Sequence, residues 1–334
     1  MKDIPFIHGA NPSTTDSRDI LAHHLTDMAG VPQVTKASID YSTDEVLDQG
    51  QKGVCTAISL AAMMSKMFGV KLSWAFLYKQ GKKLDGNTDE GSSLRTMLRA
   101  AQKFGLPRYE LAPYNATNTY AEFMAEPDYA PEVYATAQLY KLPAYAQVLP
   151  LNEETLMQAL ATSVYGLYTR IVVGSEFWTD KDGNRTFDPA LLEPIRTPQN
   201  IVGGHAIITR ELDYTVPQWT GTWRNSWGIG YCDKGDSQFL TSPWVKNYFL
   251  TEAWVISDKF KHQFNSFLCY GMKNDEVVAL QTALKLEKLF DYETTGFFGS
   301  ITLRAVKDLQ RKYGITPLGI VGPKTRAKLN ELYS

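Results

Sequence analysis

Apolar positions along the 334-residue chain change period near its middle, from helical spacing to runs that read as strands. After a Gly-rich turn, Ile58, Ala61, Ala62, Met64 and Met67 form a broad apolar set that predicts a long helix opening at Cys55. Ser73-Trp74-Ala75-Phe76-Leu77-Tyr78 begins a second helix with Ser73 as its N-cap, and Gly91-Ser92-Ser93-Leu94 leads into a third through Leu98 and Ala101. Glu153 to Ala161 reads as another. Gly166-Leu167-Tyr168-Thr169-Arg170-Ile171-Val172-Val173 and the β-branched run that follows His205 read as strands, with His205 at the strand's beginning. The expectation is an α+β fold of two lobes, one mainly helical and carrying Cys55, the other rich in strands and carrying His205. A cleft between them would bring the two residues face to face. From Leu268 the period turns helical again. Val277, Leu280 and Leu284 mark one helix, Val306, Leu309 and Tyr313 a second, and Pro323 sits near the first turn of a third, so three short helices can bury one small core.

Residues 1–37 are expected to form an N-terminal arm, 38–258 the two-lobed domain, 259–266 a linker and 267–334 the helical domain. The arm has the loop composition Asn11-Pro12-Ser13-Thr14-Thr15-Asp16-Ser17, then Ile20, Leu21 and Leu25, which can pack on the body. It hugs the surface on this reading, and covering the cleft is one role open to it. A hydrophobic fraction of 44% suits two cores, and a net charge of −2 gives no support for binding nucleic acid or an anionic membrane through bulk electrostatics. No run of about eighteen apolar residues occurs, and the start Met1-Lys2-Asp3-Ile4-Pro5-Phe6 lacks a signal peptide's apolar core, so synthesis in the cytoplasm and no membrane insertion are expected.

Chemistry concentrates at three places. A thiol at a helix N-terminus beside an imidazolium ionises more readily, and Gln49, six residues before Cys55, can share with the Cys55 N–H the charge that develops on an attacked carbonyl oxygen. Only five histidines exist, and His205 lies 150 residues beyond Cys55, in Gly203-Gly204-His205-Ala206, where two glycines permit close approach of backbone or substrate. Trp223-Arg224-Asn225-Ser226-Trp227-Gly228 follows. An amide oxygen on Asn225 can orient an imidazole without a carboxylate charge that would compete for the thiolate–imidazolium pair.

QGxxxxC, GGHA and NSWG, in that order between Ile39 and Ile256, resemble the papain family of cysteine peptidases. The resemblance implies that Cys55 is the nucleophile, His205 its base and acid, Asn225 the orienting group and Gln49 the oxyanion donor. It also implies that Trp227 shields the Asn-to-His hydrogen bond, and that Gly91 and Ser92, with Gly204 and Trp227, lie where substrate binds. Gly91 and Ser92 serve equally as a helix cap. Lys52-Gly53-Val54-Cys55-Thr56 departs from the family's secretory pattern, since the upstream disulfide cysteine is missing and Thr56 replaces a tryptophan. With only Cys55, Cys232 and Cys269 in the chain, nothing requires a disulfide. Only fifty-four residues precede Cys55, too few for a full-length propeptide.

Leu280 to Leu284 (LQxxL), Thr295 to Gly299 (TGxFG), Ala305 to Gln310 (AVKxxQ) and Gly319 to Thr325 (GIVGPKT) resemble the peptidoglycan-binding domain that accompanies bacterial and phage wall hydrolases. Together the two resemblances imply a monomeric Cys-His-Asn endopeptidase acting at the bacterial wall on peptidoglycan, as a phage-type lysin released by a separate pore would. A wall-anchored protease that cuts proteins is the alternative, and a catalytically dead wall-binding protein a further one. No cofactor and no metal are expected: there is no HExxH, and Asp180-Lys181-Asp182-Gly183-Asn184 lacks calcium-loop spacing and reads as a hairpin turn. The glycosylation patterns at Asn115 and Asn184 carry no weight without a secretory route.

Overall fold

A computed structural model describes residues 9–16, 19–25, 34–174, 201–215, 220–230, 234–240, 250–258, 260, 262–292 and 294–333. Asp180 to Thr186 and Cys232 lie outside the described residues. The arm contributes β1 (Ala10–Asn11) and β2 (Lys36–Ser38). Between them Ile20 and Leu25 are buried, as expected, while Leu21 is only half-buried and Ala22 is buried in its place.

The helical lobe is built on α1 (Cys55–Phe68), which is buried without interruption from Cys55 to Ala61 and therefore has no solvent face over its first two turns. It stops at Gly69, left-handed at φ 63°, whose N–H closes on Ser65 O. In α2 (Trp74–Asp85) the Ser73 hydroxyl caps the Phe76 N–H at 3.1 Å. Strand β3 (Ser92–Ser93) runs directly into α3 (Leu94–Phe104), where Ser93 caps Thr96. Two short helices, α4 (Tyr120–Ala125) and α5 (Pro131–Ala137), complete the lobe. Its core gathers Ile58, Leu60, Met63, Met97 and Leu98 with Tyr168 and Trp254 from the sheet.

The second lobe is a seven-stranded antiparallel sheet. Strands β4 (Ala144–Gln147), β5 (Leu167–Gly174), β6 (Ile201–Asp213), β7 (Thr220–Arg224), β8 (Asp236–Leu240) and β9 (Leu250–Ser257) lie in the order β4-β9-β5-β6-β7-β8, and β2 joins β6. Helix α6 (Glu153–Thr162) packs against it, starting at an Asn152 capping box. His205 does not begin its strand. It sits inside β6 opposite Ile171, because Gly203 and Gly204 continue the ladder as partners of Val173 and Val172. Glycine pairs in a strand as well as any residue; its missing side chain serves the other face, where another backbone approaches.

Helices α7 (Asp275–Leu286), α8 (Ser300–Lys312) and α9 (Pro323–Tyr333) form the third unit. Gln281 and Gln310 are buried and work alike. Gln281 Nε2 donates to Phe297 O and Thr302 Oγ1 while its Oε1 accepts from Gly296 N; Gln310 Nε2 donates to Ile320 O and Thr325 Oγ1 while its Oε1 accepts from Gly319 N. The TGxFG and GIVGPKT segments are thus turns clamped by buried amides. The stretch expected to be a linker is docked: Phe260, His262 and Phe264 are buried, and the Phe264 N–H donates to Asn330 Oδ1 at 2.6 Å. Phe260 and Phe264 fuse the helical core to the sheet's hydrophobic cluster.

Candidate active site

The segment before α1 is held from three sides. Asp48 bridges to Trp227, Gln49 N–H donates to Ser226 O at 2.9 Å, and the Tyr114 hydroxyl donates to Gln49 O at 2.6 Å. Lys52 is buried, its ammonium donating to Asn118 O at 2.6 Å and Ala116 O at 3.2 Å and lying over the Tyr114 ring. Glu90 takes the Gly53 N–H at 2.6 Å. The Val54 N-cap has no side-chain oxygen to offer, so no cap side chain claims the first N–H groups of α1.

These contacts place Gln49 beside the Asn225 motif. Its Oε1 accepts the Ser226 hydroxyl at 2.7 Å and its Nε2 donates to Lys52 O at 3.0 Å, which fixes the amide's orientation and leaves the second N–H direction set by the first. Asn225 Oδ1 accepts the Ser226 N–H at 2.7 Å and lies 2.8 Å from His205 Nε2. An atom that accepts a backbone N–H is the amide oxygen, so Nε2 is the nitrogen that donates. Nδ1 is then the ring atom able to exchange a proton. The Trp227 indole stacks on the imidazole, centroids 4.4 Å apart and planes 17° from parallel. The Ser59 hydroxyl of α1 donates to Ala206 O at 3.0 Å, next to His205, so the helix that Cys55 opens and the histidine's strand meet there.

One expectation is reversed. Burial pushes the Cys55 thiol from 9.0 up to about 11, although N–H groups of Ala206, Gly9 and Thr56 pull the other way. The helix N-terminus does not win because the sulfur is wholly enclosed, and desolvation penalises the thiolate. The enclosing element is the arm. Strand β1 pairs in parallel with β3, Ser92 N–H donates to Gly9 O at 2.7 Å, and Arg170 Nε donates to Ala10 O at 2.9 Å. A methyl on Gly204 would collide with Ala10 O and come within 2.5 Å of the Arg170 guanidinium, while one on Gly91, left-handed at φ 95°, would meet Gly9 O at 2.8 Å. Gly91, Ser92 and Gly204 therefore line one cleft and hold a peptide backbone in it. Trp227 packs on His205.

Sequence reasoning missed Ser226, Lys52, Tyr114, Glu90 and Arg170. Ser226 stood inside a quoted motif, and its alternation with Asn225 was the available signal. Lys52 carried none, because a lysine between two glycine turns reads as solvated. Among the described residues no group of three or more His, Cys, Asp or Glu side chains could hold a metal, and no helix is long and apolar enough to cross a membrane.

Comparison with known proteins agrees with this architecture. The family described as "Putative peptidoglycan binding domain" matches residues 273–329. A spore cortex-lytic enzyme of Halalkalibacterium halodurans is 31% identical over 96 residues, 27% of this chain and 29% of that protein, so the chain spans under a third of that relative's length. Xylellain, a cysteine protease from Xylella fastidiosa, superposes with a TM-score of 0.61 over 75% of this chain and 95% of its own, at 24% identity. Digestive procathepsin L 3 of Tenebrio molitor gives 0.54 over 74% and 76% at 16% identity, and procathepsin B S9 of Trypanosoma congolense 0.56 over 75% and 87% at 14%. The fold is the α+β papain-like fold followed by a helical peptidoglycan-binding domain.

Proposed function

We propose that the protein is a cysteine peptidase that works at the bacterial cell wall and cleaves peptide bonds of peptidoglycan, with residues 9–25 holding it closed until the arm moves. The observation that carries this reading is the continuous set Gln49–Ser226–Asn225–His205, joined by hydrogen bonds, with His205 on the strand that packs against the helix Cys55 opens. With the arm withdrawn, water and His205 reach the sulfur and its burial is relieved. His205 Nδ1 takes the Cys55 proton, and the thiolate attacks the carbonyl carbon. The developing oxyanion is met by the Cys55 N–H and the Gln49 amide. The imidazolium, steadied through Nε2 by Asn225, returns the proton to the leaving amine and then guides water onto the thioester. Attachment to the wall through residues 267–334 raises the local concentration of peptidase near its substrate.

Purified peptidoglycan and casein, each digested with the arm-deleted protein and with its Cys55→Ala variant, separate the possibilities. New amino groups from peptidoglycan that depend on Cys55 support the reading. Cleavage of casein with inert peptidoglycan redirects it to a wall-bound protease of proteins, and no Cys55-dependent cleavage of either refutes it.

A further inference from the structure

Between the helical lobe and the C-terminal unit lies an open cavity of about 970 Å³. One wall is α3 with residues 138–145, and the other is the end of α7 with the turn after it. Among the described residues Arg95, Arg99, Lys103, Lys141, Lys285 and Lys288 line it, against three carboxylates, Asp16, Asp19 and Asp291. Tyr145, Phe290 and Tyr292 supply ring surface, and Tyr292 is 52% exposed. Lys288 stands at φ 60°, held left-handed where α7 closes through Lys288 N to Lys285 O and Leu289 N to Leu284 O. That position is usually glycine, since a Cβ is disfavoured there, so the chain keeps a cation at some conformational cost.

Two of the three carboxylates belong to the arm. Asp19 is clamped by the Arg95 guanidinium through Nε at 3.0 Å and through Nη2, and both side chains are less than a tenth exposed. The backbone N–H of Arg95 also donates to Ser13 Oγ at 3.3 Å, and Ser13 Oγ donates to Glu252 at 2.5 Å. Arg95 therefore grips the arm at two points, four and ten residues beyond Gly9 in the cleft.

We infer that this cavity binds an anionic glycan strand of the wall, and that the strand takes Arg95 from Asp19 and so draws the arm out of the cleft. Its source as a wall polymer rests on the proposed function; its charge and ring chemistry rest on the cavity itself. A ligand shifts an equilibrium only by its differential affinity. Here the difference has a structural origin: when the arm leaves, Asp16 and Asp19 leave the cavity and the Arg95 guanidinium is freed, so the open form meets a polyanion with fewer opposing charges and one more cation. Rings beside the cations suit the faces of sugars, and the run of lysines suits carboxylates or phosphodiesters along a strand.

The full-length chain is tested with three soluble probes: glycan strands carrying stem peptides, poly(glycerol phosphate), and a neutral chitin oligosaccharide. Hydrogen exchange at Gly9, Ala10 and Asn11 reports the arm, and labelling of Cys55 by a thiol-reactive peptide reports the cleft. An open form populated at about 0.1–10% can rise about tenfold or more when a ligand selects it, and one or both anionic probes should speed both readouts by that factor. The probe that acts identifies carboxylate or phosphodiester as the recognised group. The Lys141→Glu/Lys288→Glu double variant should lose the response while exchange without probe stays as in wild type. Asp19→Ala should exchange quickly without probe and, by reciprocity, bind the acting probe more tightly. No effect of either anionic probe, an equal effect of the neutral one, or a full response in the double variant overturns the inference. Exchange and binding need no catalysis, so an arm that moves in a protein that cuts nothing refutes the peptidase reading alone. Cleavage of peptidoglycan with arm exchange unchanged by any probe refutes this inference alone.

Discussion

Gly9→Ala should open the site. A Cβ on Gly9 would lie 2.6 Å from Gly53 Cα and nearer still to the Gly53 carbonyl, all backbone atoms at the turn that launches α1. Carbon atoms rest at about 3.5–4.0 Å, so one chain must retreat by about 1 Å. The Gly53 turn is tied down by Glu90 and by the buried Lys52 beside it, whereas the arm is held there by a strand of only two residues, Ala10–Asn11, so the arm gives way. Overpacking of this kind costs about 1–3 kcal/mol, which shifts the closed–open balance by roughly 5- to 150-fold. The thiol reports it. Falling from about 11 toward 9.0 as burial is relieved multiplies the thiolate present at pH 7 by about 100 in every molecule that opens. The sign with pH follows: closure that holds Cys55 neutral is fully favoured below 9.0 and weakens as pH rises through about 11, so wild-type labelling should accelerate over that range. Rates of Cys55 alkylation from pH 6 to 11, measured by mass spectrometry on wild type and Gly9→Ala, test both statements. If Gly9→Ala labels no faster than wild type at pH 7, the argument that the arm silences the sulfur is wrong.

Gln49→Ala in the arm-deleted protein should lower kcat by about 10²–10³ with little change in KM, the signature of a donor used in the transition state; equal losses in both parameters would make Gln49 a scaffold only. Lys52→Met removes two hydrogen bonds to the carbonyls of exposed Ala116 and half-buried Asn118, which water can partly replace, at about 0.5–1.5 kcal/mol each, and thermal unfolding should shift down by about 2–4 °C for each kcal/mol. Gln310→Ala removes three hydrogen bonds that clamp the Gly319–Thr325 turn. It should weaken sedimentation with purified wall while arm-deleted peptidase turnover on a small soluble peptide persists.

The parts of this molecule legible in the sequence are those where one residue's role follows from its neighbours in the chain. Ser73 and Ser93 announce helix starts because a cap acts within three residues, and Ile58 to Met67 announce a helix because apolar residues recur there at near-helical spacing. Gln49, Cys55, His205 and Asn225 were legible as motifs; the structure joins Gln49, Asn225 and His205 through Ser226, and it places Cys55 at the start of the helix whose Ser59 hydroxyl donates to Ala206 O, next to His205. What stayed hidden depends on distant pairing. Ser226 matters because 177 residues away Gln49 needs an acceptor fixed, and Lys52 is buried because carbonyls 64 and 66 residues on turn toward it. The strand start at Ile201 was missed for a similar reason: glycines argue against a strand locally, but the β5 ladder recruits them. The thiol's shift was misjudged because a helix terminus is visible in sequence and enclosure by residues some forty-five positions earlier is not.

On the proposed function, the way the arm lies explains how a peptidase would hold its own chain in its cleft without cutting it. Attack requires a carbonyl carbon at the sulfur with its oxygen at the Cys55 N–H and Gln49. The arm's Gly9 backbone favours the Cys55 thiolate, the effect of an N–H donor, while Gly9 O is engaged by Ser92 and Ala10 O by Arg170. The carbonyls are thus spent on the cleft's walls, and the nucleophile is enclosed as a neutral thiol facing a group it cannot attack. The glycines that make this fit, Gly9, Gly91 and Gly204, leave no Cβ at three points where backbones touch. The same bare walls would admit a substrate strand, so arm and substrate compete for one space, and anything that lowers the arm's hold raises the rate without touching Cys55, His205 or Asn225.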